Sequence, residues 1–346
     1  MEMYGEPVMF KYLFLGLTFV VGLLFTQTVK AAQDNPVFSF PVDCVIGKTC
    51  WIPNYVDLKP GKGVLDYACG HATYDAKPGD QHKGTDIAVQ DLTAVRNVVL
   101  VYAAADGVVQ NWRDGIDDID VRDRQKALSS AMFCGNAVRL KHKNGYVTQY
   151  CHMKKGSVFA RKGERVRRGD VIGHVGLSGQ TMFPHLHFEI TKDGKVVDPF
   201  AGINRKAKCG VGEHPLWDKA TLAKTPYQPT AIYNMGFSFE RPDFKNIAKG
   251  LYKAKQASTH APALVVWAEM FRLKAKDRIQ INLIDPTGKI IVKSKVSPLK
   301  SDKASYTAFS GKHPVGGKWQ PGVYTGQIKL MRSKQIFVKT QKIDIR

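Results

Sequence analysis

Turn signals recur at short intervals between residues 36 and 205 and divide this part of the chain into short apolar runs. The signals are the dipeptides Pro60-Gly61, Pro78-Gly79, Asp106-Gly107, Asn144-Gly145 and Asp193-Gly194. Runs this short, bounded by Gly, Pro, Asn and Asp, are typical of strands rather than helices. The runs that we predict as strands are 98–104, 107–109, 137–140, 147–150, 171–175 and 186–190. The pattern predicts a mainly β, compact antiparallel sheet, with a turn of helix in an insertion at 121–132.

A second β pattern follows residue 230. Its predicted strands are 263–273, 278–284, 289–296, 323–330 and 335–345. Strands at this spacing indicate an immunoglobulin-like β-sandwich, smaller than the domain before it. Residues 243–256 fit a short amphipathic helix. We therefore expect a first domain over 36–205, a linker over 206–230 and a sandwich over 231–346.

The N-terminus carries an apolar run over residues 12–25, with Lys11 before it and small residues near position 31. A membrane-spanning helix needs about 20 apolar residues, and this run is shorter. The segment 1–31 therefore predicts a cleaved signal peptide rather than an anchor, and the mature protein should have no membrane span. No Cys follows the predicted cleavage position, which disfavours a lipoprotein.

The formal net charge of +21 is concentrated in the C-terminal part, where residues 210–346 contain 24 Lys or Arg against 9 Asp or Glu. Such a surface favours an anionic partner. In an exported protein the partner expected is an anionic envelope polymer, with no role for nucleic acid. A basic surface that serves solubility alone is the alternative.

Six cysteines in an exported chain predict up to three disulfides. They are Cys44, Cys50, Cys69, Cys134, Cys151 and Cys209. Cys44 and Cys50 are close enough to close a small loop. A two-residue turn at Asn144-Gly145 would set Cys151 opposite Val138, so simple register does not support a bridge between Cys134 and Cys151, although a bulge would restore it.

Two histidine motifs contain the residue types that a catalytic zinc site needs. His82 and Asp86 form an HxxxD spacing; a straight strand would hold them about 13 Å apart, but Gly84 permits a bend that brings them together. His185 and His187 form an HxH, and on a strand both project from one face. Two neutral imidazoles and one carboxylate leave a fourth position for water, which is typical of catalytic zinc.

A third segment, 149–153, contributes His152. Alternation along a strand predicts that Tyr150 and His152 share one face, opposite Cys151. No HExxH motif supplies a glutamate base, so a histidine must take that role. The other histidines lack such neighbours and are interpreted as surface or structural residues; they are His71, His142, His174, His214, His260 and His313.

The ordered segments 82–86, 150–153, 176–181 and 184–189 closely resemble those of the lysostaphin-type (LytM-like) zinc endopeptidases of bacteria, and the resemblance covers residues 63–200. It implies that His82, Asp86 and His187 hold one zinc ion. It also implies that His185 is the general base or proton shuttle, and that His152 orients water and stabilises the oxyanion.

Two positions depart from the family pattern. Cys151 and Phe183 stand where the family commonly has other residues, and both bear on the substrate groove rather than on the metal.

The resemblance implies a zinc metalloendopeptidase that hydrolyses peptide bonds in peptidoglycan cross-links or stem peptides, in the periplasm or outside the cell. Two alternatives stay open. One is a catalytically silent relative that binds and activates a cell-wall amidase, and the other is a secreted bacteriolytic protease. The complete set of ligand and assisting residues favours catalysis.

Overall fold

The structure, a computed structural model, describes residues 1, 3, 35–75, 80–203 and 209–346. Within these ranges, Asn35–Arg346 forms one compact unit. The apolar run 12–25 and the predicted cleavage position lie outside the described residues. No helix of the described residues is long and apolar enough to cross a membrane.

The first half of the chain is built on an eight-stranded antiparallel sheet. Its strands are β1 (Cys50–Asn54), β2 (Thr85–Val89), β4 (Gly107–Arg113), β5 (Asn136–Lys141), β6 (Tyr146–Met153), β7 (Arg165–Val166), β9 (His185–Lys192) and β10 (Lys195–Val196). The strand order is β1-β2-β9-β6-β5-β4-β7, with β10 paired to β9. A separate antiparallel pair consists of β3 (Leu100–Tyr102) and β8 (Val171–His174). The antiparallel fold expected from the turn signals is therefore confirmed.

The second half contains two sheets that share one hydrophobic core. The first has the order β11 (Ala231–Ser238), β13 (Leu264–Leu273), β16 (Lys303–Lys312). The second has the order β12 (Gln256–Ala257), β18 (Gln335–Ile345), β17 (Gly322–Arg332), β14 (Arg278–Ile284), β15 (Ile290–Lys293). Buried residues of both sheets, such as Phe237 and Ile328, belong to the same cluster. This is the sandwich architecture that the spacing of the strands predicted.

Short helices connect the strands. They are α1 (Leu92–Arg96), α2 (Lys219–Lys224) and α3 (Phe244–Ala248). The predicted helical insertion at 121–132 consists of two 3₁₀ turns, Val121–Asp123 and Ser130–Met132. The helix predicted over 243–256 is shorter than expected, because α3 stops within two residues of Gly250, which adopts a φ of +75°.

Two hydrophobic cores divide the compact unit. The first contains residues of the eight-stranded sheet together with Leu216 and Trp217, which fall in the predicted linker. The second lies between the two C-terminal sheets. Trp51 of the edge strand β1 packs against Tyr233 of β11, with ring centroids 6.0 Å apart. The C-terminal unit, residues 231–346, therefore covers the edge of the first sheet.

Three disulfides use all six cysteines. They join Cys44 to Cys50, Cys69 to Cys209 and Cys134 to Cys151. The first was predicted and is confirmed.

The register predicted around Cys134 and Cys151 is wrong by one residue. Val138 pairs with Tyr150, because three residues, 143–145, form the turn instead of two. The register shifts again between Asn136 and Val138, next to the two cysteines, whose Cα atoms lie 4.8 Å apart. The bulge left open as an alternative is therefore present.

Candidate metal centre

The pairing of β2 with β9 places the two histidine motifs side by side. Asp86 lies directly opposite His187, and Ala88 lies opposite His185. Both histidines project from the same face, while Leu186 and Phe188 between and beside them are buried in the first core. The alternation expected for the HxH segment is therefore present, and it puts an acidic and a basic side chain on neighbouring strands.

Three donor atoms converge at this point. Asp86 Oδ1 lies 3.1 Å from His82 Nε2 and 2.9 Å from His187 Nδ1, and the two nitrogens are 3.2 Å apart. Four ligands at about 2.0 Å around a tetrahedral ion stand about 3.3 Å from one another. The donor set is chemically suited to zinc, and in the described ranges it is the group of three such residues that could hold a metal ion.

The second nitrogen of each of these imidazoles faces an outer partner, within hydrogen-bonding distance for His82 but not for His187. His82 Nδ1 donates to the carbonyl oxygen of Tyr55 over 2.7 Å, so its Nε2 carries the free lone pair. His187 presents Nδ1 instead, and its Nε2 lies 3.9 Å from a carboxylate oxygen of Glu189. Outer partners of this kind orient metal-binding histidines. The sequence contained Glu189 within the resembling motif, but nothing in its spacing indicated this role.

Gly84 is required by close packing against β9, in addition to the expected bend. A Cβ at this position would lie 2.7 Å from the His187 ring and 2.7 Å from the carbonyl oxygen of Phe188. Glycine therefore lets the segment carrying His82 pass directly against β9.

His152 and His185 lie beside the three donors, with their ring centroids 4.6 Å apart. His185 Nδ1 is 2.9 Å from the carbonyl oxygen of Phe183, and His152 Nδ1 is 2.8 Å from that of Ser178. A carbonyl oxygen only accepts, so each Nδ1 carries the proton and each Nε2 has a free lone pair. His185 Nε2 lies 3.4 Å from Asp86 Oδ1.

The prediction that Tyr150 and His152 share a face is wrong. Tyr150 points into the first core, where its hydroxyl accepts from the backbone amide of Ala104 over 2.8 Å. His152 adopts a φ of +61°, which breaks the alternation of β6 and turns its ring toward His185. Left-handed backbone of this kind is uncommon outside glycine and often marks functional positions.

Burial and mutual proximity shift the pKa values of several side chains at the centre. Burial alone would raise the pKa of Asp86, but the imidazoles of His82 and His185 hold it well below its usual range. Burial and the neighbouring histidines lower the pKa of His152 far below that of a free imidazole. For His187, burial lowers the pKa, but the carboxylates of Asp86 and Glu189 outweigh it and raise the pKa to about 9.

Two further side chains at the centre carried no signal in the sequence. Asn54, at the end of β1, donates from Nδ2 to Asp86 Oδ2 over 2.6 Å. Tyr74 stacks on His82, with ring centroids 4.5 Å apart.

The two departures from the family pattern noted in the sequence also lie at the centre. Phe183 stacks on His185, with ring centroids 4.4 Å apart, and Cys151 pairs with His187 across β6 and β9. The five residues selected from the sequence thus lie together, and the other histidines of the described ranges are not part of the three-donor group.

Residues 80–199 match the family model described as Peptidase family M23. This stretch is an M23 peptidase domain. Peptidoglycan DD-endopeptidase ShyC of Vibrio cholerae is 34% identical over 113 residues, which cover 33% of this chain and 21% of that protein. DD-carboxypeptidase/endopeptidase Mpg of Neisseria meningitidis is 36% identical over 118 residues, covering 34% of this chain and 22% of that protein. The match thus spans about a fifth of the length of each of these relatives.

Among solved structures, a zinc containing peptidase from Vibrio cholerae aligns with 47% of this chain and 39% of its own, at 24% identity and a TM-score of 0.32. A likeness at this level carries no weight for the function of the M23 domain.

Proposed function

We propose that this protein is an exported, zinc-dependent endopeptidase that hydrolyses peptide bonds in peptidoglycan cross-links or stem peptides. The observation that carries the proposal is the convergence of His82, Asp86 and His187 within about one ligand spacing, beside two more imidazoles. The M23 domain and its peptidoglycan-acting relatives support the substrate class. Three disulfides support export to the periplasm or beyond.

The proposed ligands are His82 through Nε2, His187 through Nδ1 and Asp86 through Oδ1. All three side chains are largely withdrawn from solvent, which strengthens the electrostatic interactions among them. Zinc bound there would supply Lewis acidity, polarising a substrate carbonyl and lowering the pKa of a water molecule toward about 7.

His185 is the proposed general base. Its Nδ1 proton is committed to the carbonyl oxygen of Phe183, so Nε2 can accept a proton from the attacking water. The protonated ring can then pass that proton to the departing amine. Because Phe183 also stacks on this ring, the orientation of the imidazole is fixed by two contacts.

His152 is the proposed second assisting residue. In its neutral form Nε2 is an acceptor, which suits it to orient a water molecule. Donation to an oxyanion requires a proton on Nε2. Burial and the neighbouring histidines lower the pKa of His152, which favours the neutral form.

We further propose the domain division that the sequence predicted: an M23 domain over 36–205, a linker over 206–230 and a basic sandwich over 231–346. The excess of Lys and Arg after residue 210 supports contact of the sandwich with anionic envelope polymers.

The test is to incubate the mature protein with purified sacculi and to identify the released fragments by mass spectrometry. Cleavage of a cross-link or stem peptide bond that is lost in His185→Ala supports the proposal. A zinc-loaded protein that releases nothing, but stimulates a cell-wall amidase on the same sacculi, would establish the regulatory alternative. Rapid release from sacculi of other species, with none from those of its own, would favour a bacteriolytic protease.

A further inference from the structure

Asn54 forms a hydrogen bond with one of the two carboxylate oxygens of Asp86. It lies opposite Asp86 in the β1–β2 pair, is buried, and donates from Nδ2 to Asp86 Oδ2 over 2.6 Å. The other oxygen, Oδ1, faces His82 and His187. With Oδ2 engaged in a charge-assisted hydrogen bond, Asp86 presents a single oxygen to the centre.

Arg272, at the end of β13 in the C-terminal unit, determines how the Asn54 amide is turned. Its Nη2 donates to Asn54 Oδ1, and its Nε donates to the carbonyl oxygen of Pro53 over 3.1 Å. Arginine has only donors, so the oxygen of the amide must face Arg272. The NH₂ group of Asn54 must then face Asp86. A guanidinium 218 positions away in sequence therefore specifies the donor that Asp86 meets.

The backbone of Arg272 is itself fixed by a neighbouring side chain. Its carbonyl oxygen accepts a hydrogen bond from Nη2 of Arg332 over 2.7 Å, and the same Nη2 lies 2.7 Å from the buried carboxylate of Asp277. The backbone of Arg272 adopts a φ of +53°, a conformation that a non-glycine residue keeps only when its surroundings enforce it. The backbone from which the Arg272 side chain extends toward Asn54 is therefore fixed in position.

We propose that Arg272 and Asn54 are positioning residues for the metal centre. Arg272 orients the amide of Asn54, and Asn54 engages Oδ2 of Asp86, so that Oδ1 alone is available to the metal. The inference rests on the proposed function and extends it: the C-terminal unit helps to build the site in addition to any binding of the cell wall. A carboxylate that binds through one oxygen leaves a coordination position for water, which a catalytic centre requires.

Zinc affinity, measured by competition with a chelator at fixed pH, tests the proposal without relying on turnover. Loss of an outer hydrogen bond to a ligand weakens metal binding by about 10- to 100-fold, and this is the effect expected for Asn54→Ala. Arg272→Met keeps the apolar stem and removes the guanidinium, and we expect about tenfold weaker binding. Because Arg272 acts through Asn54, Arg272→Met should add little in the Asn54→Ala background.

The matched control is Lys245→Ala. Lys245 also links the C-terminal unit to the M23 domain, through an exposed ion pair with Asp123 at 2.6 Å, but it does not contact Asn54. Its removal should leave zinc affinity unchanged. A loss of affinity equal to that of Arg272→Met would overturn the proposal, because a general loosening of the two units would then explain both variants.

Cobalt substitution gives a second readout, because the visible spectrum of Co²⁺ reports its coordination geometry. We expect a four-coordinate spectrum for the wild type and a shift toward higher coordination in Asn54→Ala and Arg272→Met, where Oδ2 becomes free to bind. Wild-type protein that binds no zinc would refute the proposed function. Zinc binding by the wild type, with unchanged affinity and cobalt spectra in both variants, would refute this inference alone.

Discussion

The imidazole of His152 is tied through Nδ1 to the carbonyl oxygen of Ser178, 2.8 Å away. Ser178 is completely buried, and its hydroxyl donates to the carbonyl oxygen of Met153 over 2.6 Å while accepting from the amide of Asn136 over 2.8 Å. The backbone amide of His152 donates to the carbonyl oxygen of Cys134 over 2.8 Å. The left-handed conformation of His152 is therefore maintained by contacts on both sides of the residue.

The Cys134–Cys151 disulfide should matter for turnover more than for metal binding. Replacing both cysteines by Ser releases the backbone that holds His152, and displacement of an assisting group by about 1 Å can cost about 100-fold in rate. We expect kcat to fall by about 10- to 100-fold with zinc content unchanged, measured by peptide release and metal analysis. The matched control, Cys44→Ser with Cys50→Ser, should retain kcat. Equal kcat in both double variants would contradict this role.

The two histidines of the HxH segment should separate metal binding from catalysis. His187→Ala removes a proposed ligand and should lose both zinc and activity. His185→Ala removes the proposed base and should keep stoichiometric zinc while kcat falls by about 100-fold or more. Metal analysis of both purified variants, beside an activity assay, gives the answer. Normal cleavage by a zinc-free His187→Ala protein would show that the ligand assignment is wrong.

Gly84→Ala should damage the metal centre although it adds one methyl group. The new Cβ would lie 2.7 Å from both the His187 ring and a backbone carbonyl oxygen, so β2 and β9 must separate. We expect zinc affinity to fall by at least tenfold, measured by chelator competition. Gly288→Ala is the control, since Gly288 has open space around it and a φ of +88°. That variant should cost about 1 kcal/mol of stability and leave zinc affinity intact.

Glu269 in β13 should make stability depend on pH. Burial, with a smaller contribution from Asp91, raises its pKa from 4.5 to about 7. The folded protein therefore holds this proton more tightly than the unfolded chain, and the stability that Glu269 contributes falls as the pH rises from about 4.5 through about 7. Glu269→Gln should remove that loss and be more stable than the wild type at pH 8, by on the order of 2 kcal/mol.

Urea unfolding of the wild type and Glu269→Gln across pH 4 to 8 measures this difference. Glu240→Gln, which alters an exposed carboxylate of the same unit, provides the reference. A difference between wild type and Glu269→Gln that does not change with pH would rule out titration of this half-buried carboxylate as the cause.

The basic surface of the C-terminal unit should bind sacculi through charge. Lys293, Lys295 and Lys300 are exposed and close in sequence. Changing all three to Glu should weaken sedimentation with sacculi and reduce its dependence on salt, because attraction between exposed charges is screened beyond about 10 Å at 0.1 M salt. Their substitution by Gln, which removes charge without reversing it, should give an intermediate result. Unchanged binding in the Glu variant would assign this charge to solubility.

The residues that lie together at the candidate site could be selected from the sequence because the patterns that mark them are local. The HxxxD and HxH spacings, with glycine beside one and core residues within the other, place side chains on known faces of strands. Asn54 and Arg272 could not be found in this way, since their contact joins positions 218 apart and depends on how two units pack. His152 was placed on the wrong face because alternation assumes extended backbone, and its φ is +61°.

Several strands were not predicted from the sequence, and for two of them, β16 and β11, the physical reason is clear. β16 (Lys303–Lys312) has two residues each of Lys, Ser and Ala and no fully buried residue, so its apolar signal is weak. It becomes a strand because β13 offers a paired edge along nearly its whole length. β11 is apolar but contains Asn234 and Gly236, which interrupt the pattern. Pairing between strands overrides such weak local preference.

The bridge between Cys69 and Cys209 spans 140 positions and has a consequence for a chain exposed to proteases. A single cut anywhere from residue 70 to residue 208 would leave both fragments covalently attached to each other. The five histidine and aspartate side chains of the centre all lie inside that interval, so a nicked molecule would keep them tethered within one particle. Damage of this kind would be visible only after the sulfur–sulfur bonds are reduced.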